Sequence, residues 1–158
     1  PLLHEAGRIL ERLTGGRWVA LHPEPGHGVR ALKIIRADEE EAKPEELSEG
    51  TLDQVYLALR LAAVKELHQQ RIADGKPELP LVLDDVLMAF DPERTRSALE
   101  ELSELAREIQ IILFTHHGHV ADLARELDGV QVSDLPTPGV IEGFRDAEQI
   151  RADVPTFG

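Results

Sequence analysis

Two apolar runs constrain this chain more than anything else in it. "LPLVLDD" (79–85) and "IQIILFTHH" (109–117) are nearly continuous in apolar residues and then turn abruptly polar. Neither alternates polar with apolar, so the pattern is that of a strand buried on both faces, as in a parallel sheet. Between them, Asp91-Pro92 supplies a helix cap and a first-turn proline, opening a helix that runs to about Arg107. Strand, helix, strand in that order implies parallel pairing with helices packed on the sheet, and so an α/β fold.

The remaining segments fit around this unit. Leu2, Leu3, Ala6, Ile9, Leu10 and Leu13 recur at helical spacing until Gly15 and Gly16 stop them. "RWVALHPEPGHGVRALKIIRAD" (17–38) reads as two strands around a Pro/Gly turn, a β-hairpin or meander, and residues 37–47 as a charged loop. A second helix is expected from about Thr51 to Arg71, apolar almost all round and therefore buried, with Thr51 and Gln54 in a capping box. A short helix is expected over 118–127 and a last strand in "GVQVSDL" (129–135). The tail from Pro136 has no readable element, and there is no internal repeat.

Composition narrows the class. With 158 residues, 42% of them hydrophobic and 30% charged, the chain holds one domain's worth of core. It lacks cysteine, which excludes disulfides and thiolate metal sites. No apolar run approaches the roughly 18 residues that span a bilayer, and the start shows no signal-peptide pattern, so a cytoplasmic location without membrane contact is expected. The formal net charge of -13 argues against an electrostatic grip on nucleic acid by this piece alone. "ADEEEAKPEE" (37–46) concentrates the acid, as a solvated loop or as a functional patch.

Ligands in open parallel sheets collect at the carboxyl ends of the strands. There the first strand delivers Asp84 and Asp85, and the second delivers Thr115, His116 and His117. A third element is expected to join them: the helix that follows Ser48-Glu49-Gly50. Its free amides and dipole favour an anion, Gly50 admits a phosphate closely, and Ser48 adds a hydroxyl donor. Apolar residues ending in Asp at a strand tip form the Walker B pattern, in which the Asp serves a nucleotide's Mg²⁺. Each feature has a plainer reading too. Buried strands commonly end in Asp, Asp91 reads equally as a helix cap, and His117 as a surface or packing residue.

Order and spacing separate these readings, and through them the chain resembles a family. "LSEGT" (47–51) is similar to the ABC signature, "LPLVLDD" to the Walker B strand, "MAFD" (88–91) to the D-loop and "LFTHH" (113–117) to the switch-histidine strand. Together, over roughly residues 10–132, they resemble the C-terminal ATPase lobe of ABC-type P-loop NTPases, in the SMC-like DNA-repair branch of SbcC-like and YhaN-like proteins. "YLALRLA" (56–62) is similar to the helix after the signature in that branch, and "LTGGRW" (13–18) to the place where the chain leaves the coiled coil.

The resemblance implies roles. Residues 1–14 would end a coiled-coil helix and 15–158 would form the lobe. Ser48, Glu49 and Gly50 would present the signature to nucleotide held by a partner head, with Ser48 and Gly50 reaching the γ-phosphate. Asp84 would serve Mg²⁺ through water, Asp85 would polarise the attacking water, His116 would contact the γ-phosphate, and Asp91 would act across the dimer interface. Asp85 replaces the family's usual Glu and is one methylene shorter. Glu49 and Thr51-Leu52-Asp53 also depart from the commonest LSGGQ form.

No G-x-x-x-x-G-K-[ST] is present: neither Gly15-Gly16-Arg17 nor Gly26-His27-Gly28 leads into Lys-Ser or Lys-Thr. In the family that loop lies in an N-terminal lobe, so the chain reads as half a head. It would be inactive alone and would expose a sheet edge or apolar surface that the N-lobe covers. The expected activity is ATP hydrolysis in a head dimer with ATP and Mg²⁺, driving DNA repair or end processing. A metallophosphoesterase-type nuclease is the family's usual partner, and DNA would be met through the assembled complex. A nucleotide-gated dimerisation module with little hydrolysis, and a metal cluster of Asp84, Asp85 and Asp91 in an unrelated enzyme, are the alternatives.

Overall fold

The computed structural model describes residues 1–24 and 32–136. Helix α1 (Leu2–Leu13) turns Ala6, Gly7, Ile9, Leu10 and Leu13 inward, a stripe at helical spacing. Gly7 lets it lie directly on strand β1 (Trp18–Pro23): a Cβ there would stand 3.1 Å from the Cα of Ala20. Past the helix, Thr14 Oγ1 donates to the Leu10 carbonyl at 2.8 Å and accepts from Trp18 N at 3.1 Å. Gly15 and Gly16, at φ 59° and 81°, then reverse the chain in a conformation open to glycine.

Strands β1, β2 (Leu32–Arg36) and β3 (Glu41–Ala42) form an antiparallel sheet in that order, with a register irregularity between Trp18 and Ala20. The hairpin is as expected. The charged segment 37–47 is more structured than a loop, because it contains β3 and a 3-10 turn at Pro44–Glu46. Its charges are locally neutralised: Lys33 pairs with Glu41, and Arg36 with Asp38. The cluster Gly26-His27-Gly28 and the tail beyond Pro136 lie outside the described residues.

Helix α2 (Glu49–Ala73) starts two residues before the expected point, capped by Ser48, whose Oγ accepts from Thr51 N at 3.4 Å. The capping box of Thr51 and Gln54 does not form. Gln54 Nε2 instead donates to the Leu13 carbonyl at 2.5 Å, satisfying an end-of-helix acceptor of α1 and pinning the two helices together. Nor is α2 buried all round: Val55, Ala58, Leu61 and Ala62 are in the core, whereas Tyr56, Leu67 and Ile72 are about half exposed. Its exposed face carries apolar residues that periodicity alone assigned to the core.

Strands β4 (Leu81–Asp84) and β5 (Ile111–Phe114) pair in parallel, with Val82 opposite Ile112 and Asp84 opposite Phe114. Helix α3 (Pro92–Leu105), which the Asp91 side chain caps through Arg94 N at 2.9 Å, connects them. Helix α4 (Gly118–Arg125) follows β5. The expectation of burial on both faces fails here. Leu81, Leu83, Ile111 and Leu113 pack on the core, but Val82 (55% exposed), Ile112 (37%) and Phe114 (43%) share an uncovered face with Asp84. Among the described residues this sheet has two strands, so helices cover one side and nothing covers the other. The expected last strand is also missing. Residues 130–136 are irregular, Leu135 is 74% exposed, and among the described residues they pair with no strand.

The core joins both sheets. Ile9, Leu10, Leu13, Ile34, Val55, Leu61, Leu87, Ile109 and Val120 are almost completely enclosed, each contributing roughly 1.5–3 kcal/mol by burial. Arg12 reaches across from α1 to the buried Glu101 of α3 in a two-pronged pair, one prong being Nη2 to Oε1 at 2.7 Å.

Candidate functional site

Successive side chains on a strand point to opposite faces, so the two acids at the tip of β4 have different destinations. Asp84 lies on the uncovered face beside Phe114 and is exposed. Asp85 turns the other way. Its backbone adopts φ 53°, a left-handed conformation uncommon for a residue other than glycine, and its amide donates to the Phe114 carbonyl at 2.9 Å.

That turn brings the Asp85 carboxylate onto the end of β5. Thr115 Oγ1 donates to Asp85 Oδ1 at 3.1 Å, and His116 Nδ1 lies 2.5 Å from Oδ2. His117 Nε2 is 3.8 Å from Oδ1, beyond a hydrogen bond, while its backbone N–H donates to Thr115 Oγ1 at 3.1 Å. The two imidazoles stack with ring centroids 4.0 Å apart. His116 reaches into solvent, 73% exposed, while Asp85 and His117 are mostly covered.

A second group forms at the start of α2. Ser48 Oγ and Thr51 Oγ1 share a hydrogen bond of 2.8 Å, and the Arg94 guanidinium lies across Gly50. A Cβ on Gly50 would stand 1.9 Å from Arg94 Nη1, so the absence of a side chain there is what seats the arginine. Arg94 Nε is in turn 3.5 Å from Asp91 Oδ2. The Gly50 turn and Asp91 are therefore linked through one cation. Beside them, a cleft of about 200 Å³ is lined by Arg17, Trp18, Thr51, Gln54, Asp91 and Arg94. A larger cleft, about 590 Å³, lies elsewhere between α1 and α3, bordered by the Arg12–Glu101 and Lys65–Glu5 pairs.

The three polar elements expected at one edge are thus gathered in two groups: Asp85 with Thr115–His117, and Ser48–Thr51 with Asp91 and Arg94. The cluster of Asp84, Asp85 and Asp91 does not form. Asp91 is occupied as the cap of α3, and among the described residues the carboxylate that approaches metal-ligand spacing is Asp85, with His116 and His117. Arg94 was not legible as a site residue, since its only signal is its place three positions after Asp91. Thr115 as the holder of Asp85 was equally silent, being one more hydroxyl at a strand end.

A parallel strand pair tipped by acid and histidine, crossed over by a capped helix and preceded by a long helix, has the α/β fold of the C-terminal lobe of SMC head domains. Solved structures have this fold. The chain superimposes with TM-score 0.59 over 84% of its length on a structure from work on ATP-driven dimerization and DNA-stimulated activation of SMC ATPases, at 18% identity and covering 78% of that chain. It matches the SMC head domain from Thermotoga maritima with TM-score 0.56 over 77% of its length, at 23% identity and covering 40% of that chain. A third is the SmcHead bound to the C-winged helix domain of ScpA, with TM-score 0.56 over 77% of this chain and 36% of that one, at 16% identity.

In sequence, the chain is 33% identical over 122 residues, 77% of its length, to the uncharacterized protein YhaN of Bacillus subtilis. It is 37% identical over 73 residues, 46% of its length, to the DNA replication and repair protein RecF of Heliobacterium modesticaldum. It spans 12% and 18% of those two proteins. No family model matches it. The resemblance read from the four motifs agrees with both sets of relatives.

Proposed function

We propose that the chain is the signature-bearing half of an SMC-like ATPase head, which hydrolyses ATP within a head dimer to drive DNA repair or DNA end processing. The observation that carries this reading is the β4–β5 pair: an uncovered apolar face that ends in Asp84 on one strand and abuts Asp85, Thr115 and His116 at the other tip. A Walker A-bearing N-lobe placed on that face would bury Val82, Ile112 and Phe114 and bring its phosphate loop to Asp84.

The residues suit ATP and Mg²⁺. Asp84 offers exposed carboxylate oxygens, the hard donors that Mg²⁺ prefers with water still bound. The metal, when bound, neutralises charge that develops on the transferred phosphoryl group. Asp85 accepts a hydrogen bond from the attacking water and orients it, its carboxylate positioned by Thr115. His116, exposed beside it, donates to the γ-phosphate. Ser48 and Gly50 meet the γ-phosphate of nucleotide held by a second head, with the first amides of α2 directed at it. Asp91 acts across the same interface, α1 forms the last turns of a coiled coil, and a metallophosphoesterase-type nuclease is the partner served.

DNA contact falls to the assembled complex, because a chain with net charge -13 repels the phosphate backbone. Cytoplasmic location is part of the same reading. Among the described residues, no helix is long and apolar enough to cross a membrane.

The test is ATP hydrolysis by this chain alone, then mixed with a Walker A-bearing lobe of the same source. Activity in the mixture only, lost in Ser48→Arg and in Asp84→Ala, supports the split head. Hydrolysis by the lone chain sinks it.

One observation favours a second reading, a nucleotide-gated dimerisation module with little turnover. Asp85 is short, strained and already engaged by Thr115 and His116. Asp85→Glu separates the two: a large gain in turnover identifies a weakened hydrolytic site, and unchanged dimerisation without turnover identifies the module.

A further inference from the structure

We propose that Asp85, His116 and His117 form a binding site for a borderline transition-metal ion, Zn²⁺ foremost. The ligand atoms of these three side chains all lie within 4.8 Å of one another. At Zn–ligand bonds of about 2.1 Å, tetrahedral neighbours stand roughly 3.4 Å apart. The pairs here fall on either side of that spacing: His116 Nδ1 to Asp85 Oδ2 at 2.5 Å and His117 Nε2 to Asp85 Oδ1 at 3.8 Å. Opening the first and closing the second by less than an ångström brings both imidazole nitrogens to that spacing from the Asp85 carboxylate oxygens.

A second observation points the same way. His117 Nε2 is buried and has no hydrogen-bond partner, although buried polar atoms are nearly always paired. Asp85 Oδ1 stands 3.8 Å from it, too far to bond it. A metal between them would satisfy both. Two imidazoles and one carboxylate select Zn²⁺ or Co²⁺ over Mg²⁺, which prefers oxygen. Thr115 holds the carboxylate as metal sites require of their outer partners, and the exposure of His116 leaves a fourth position open to water.

Binding needs no nucleotide and stands apart from the ATPase reading. Its consequence rests on that reading: an ion on Asp85 and His116 removes both from the attacking water and the γ-phosphate, so micromolar Zn²⁺ would switch hydrolysis off.

The experiment titrates Co²⁺ into the chain, carrying no added histidines, at neutral pH and follows visible absorption, then displaces it with Zn²⁺. One saturating Co²⁺ per chain is expected, unaffected by excess Mg²⁺ and by His119→Ala. Affinity should fall about tenfold or more in His117→Ala and in Asp85→Asn, each checked by circular dichroism for native folding. The absence of saturable Co²⁺ binding to the folded chain, or equal binding by both variants, overturns the site. Zn²⁺ inhibition of the assembled head that disappears in His117→Ala supports the proposal further. Metal binding that leaves hydrolysis intact keeps the metal site but overturns the assignment of Asp85 and His116 to ATP chemistry.

Discussion

Arg94 Nη1 occupies space that a side chain at Gly50 would need, 1.9 Å from where the Cβ would be. The colliding atom is the far end of a flexible side chain, so Gly50→Ala should fold by displacing the arginine. Alanine is also about 1 kcal/mol better than glycine inside a helix, so thermal denaturation should show unchanged or slightly raised stability. ATP-driven association with a second head, followed by size-exclusion chromatography, should nonetheless be lost. If the variant associates normally, the signature turn is not a phosphate contact.

The Arg12–Glu101 pair ties α1 to α3 through a carboxylate that is 5% exposed. Arg12→Ala strands that carboxylate without its charged partner, which should cost about 1–3 kcal/mol in urea unfolding. Changing both residues together, to Met and Leu, should recover much of the loss, because the penalty belongs to the orphaned charge.

Gln54 should behave similarly on a smaller scale. Its amide is the partner of the Leu13 carbonyl at the end of α1. Gln54→Leu removes the donor and leaves the acceptor buried, at about 1–2 kcal/mol. The same change should loosen the end of α1, visible as faster amide exchange there.

Acid stability should carry a signature of Glu5. Burial opposes its charge, but the Lys65 hydrogen bond and the nearby charges of Lys65, Arg8 and Arg12 prevail and lower its pKa from the ordinary 4.5. A group with a depressed folded value stabilises above its unfolded pKa and loses that contribution as pH falls through the folded one. Stability measured between neutral pH and the region below 4.5 should therefore fall less steeply in Glu5→Gln than in the native chain. The pair is partly solvated, so the difference should stay within about 1 kcal/mol.

The uncovered sheet face yields a separation of function. Val82→Ser and Ile112→Ser alter side chains that touch solvent in this chain, so each should change its stability by no more than about 0.5 kcal/mol. Together they should abolish pull-down by the Walker A-bearing lobe. Strong destabilisation of the chain itself would place those residues in its own core instead.

Element order was legible because it rests on strong local signals: Asp91-Pro92 at a helix start, double glycine at a helix stop, apolar runs for β4 and β5. What escaped was decided by tertiary partners. Gln54 looked like half of a capping box until Leu13 claimed it. The burial of β4 and α2 was overstated, since an apolar residue on an uncovered face has the same sequence signature as one in a core. The strand tips could be read as polar and chemical. That Asp85 would turn left-handed to meet Thr115, and that Arg94 would settle over Gly50, depends on side-chain geometry with no periodic trace.

The bond from Asp85 N to the Phe114 carbonyl, with Thr115 bonded to the Asp85 carboxylate, welds the two strand tips by backbone and side chain alike. The tips then act as one lever arm rather than two fingers. A displacement of His116 would reach Asp85, the first residue past β4, and the short segment 86–90 leads from there to Asp91 and Arg94 of the other group. Leu87 and Phe90 anchor that segment in the core. A displacement at one end of this arm would be felt at the other without any helix having to melt.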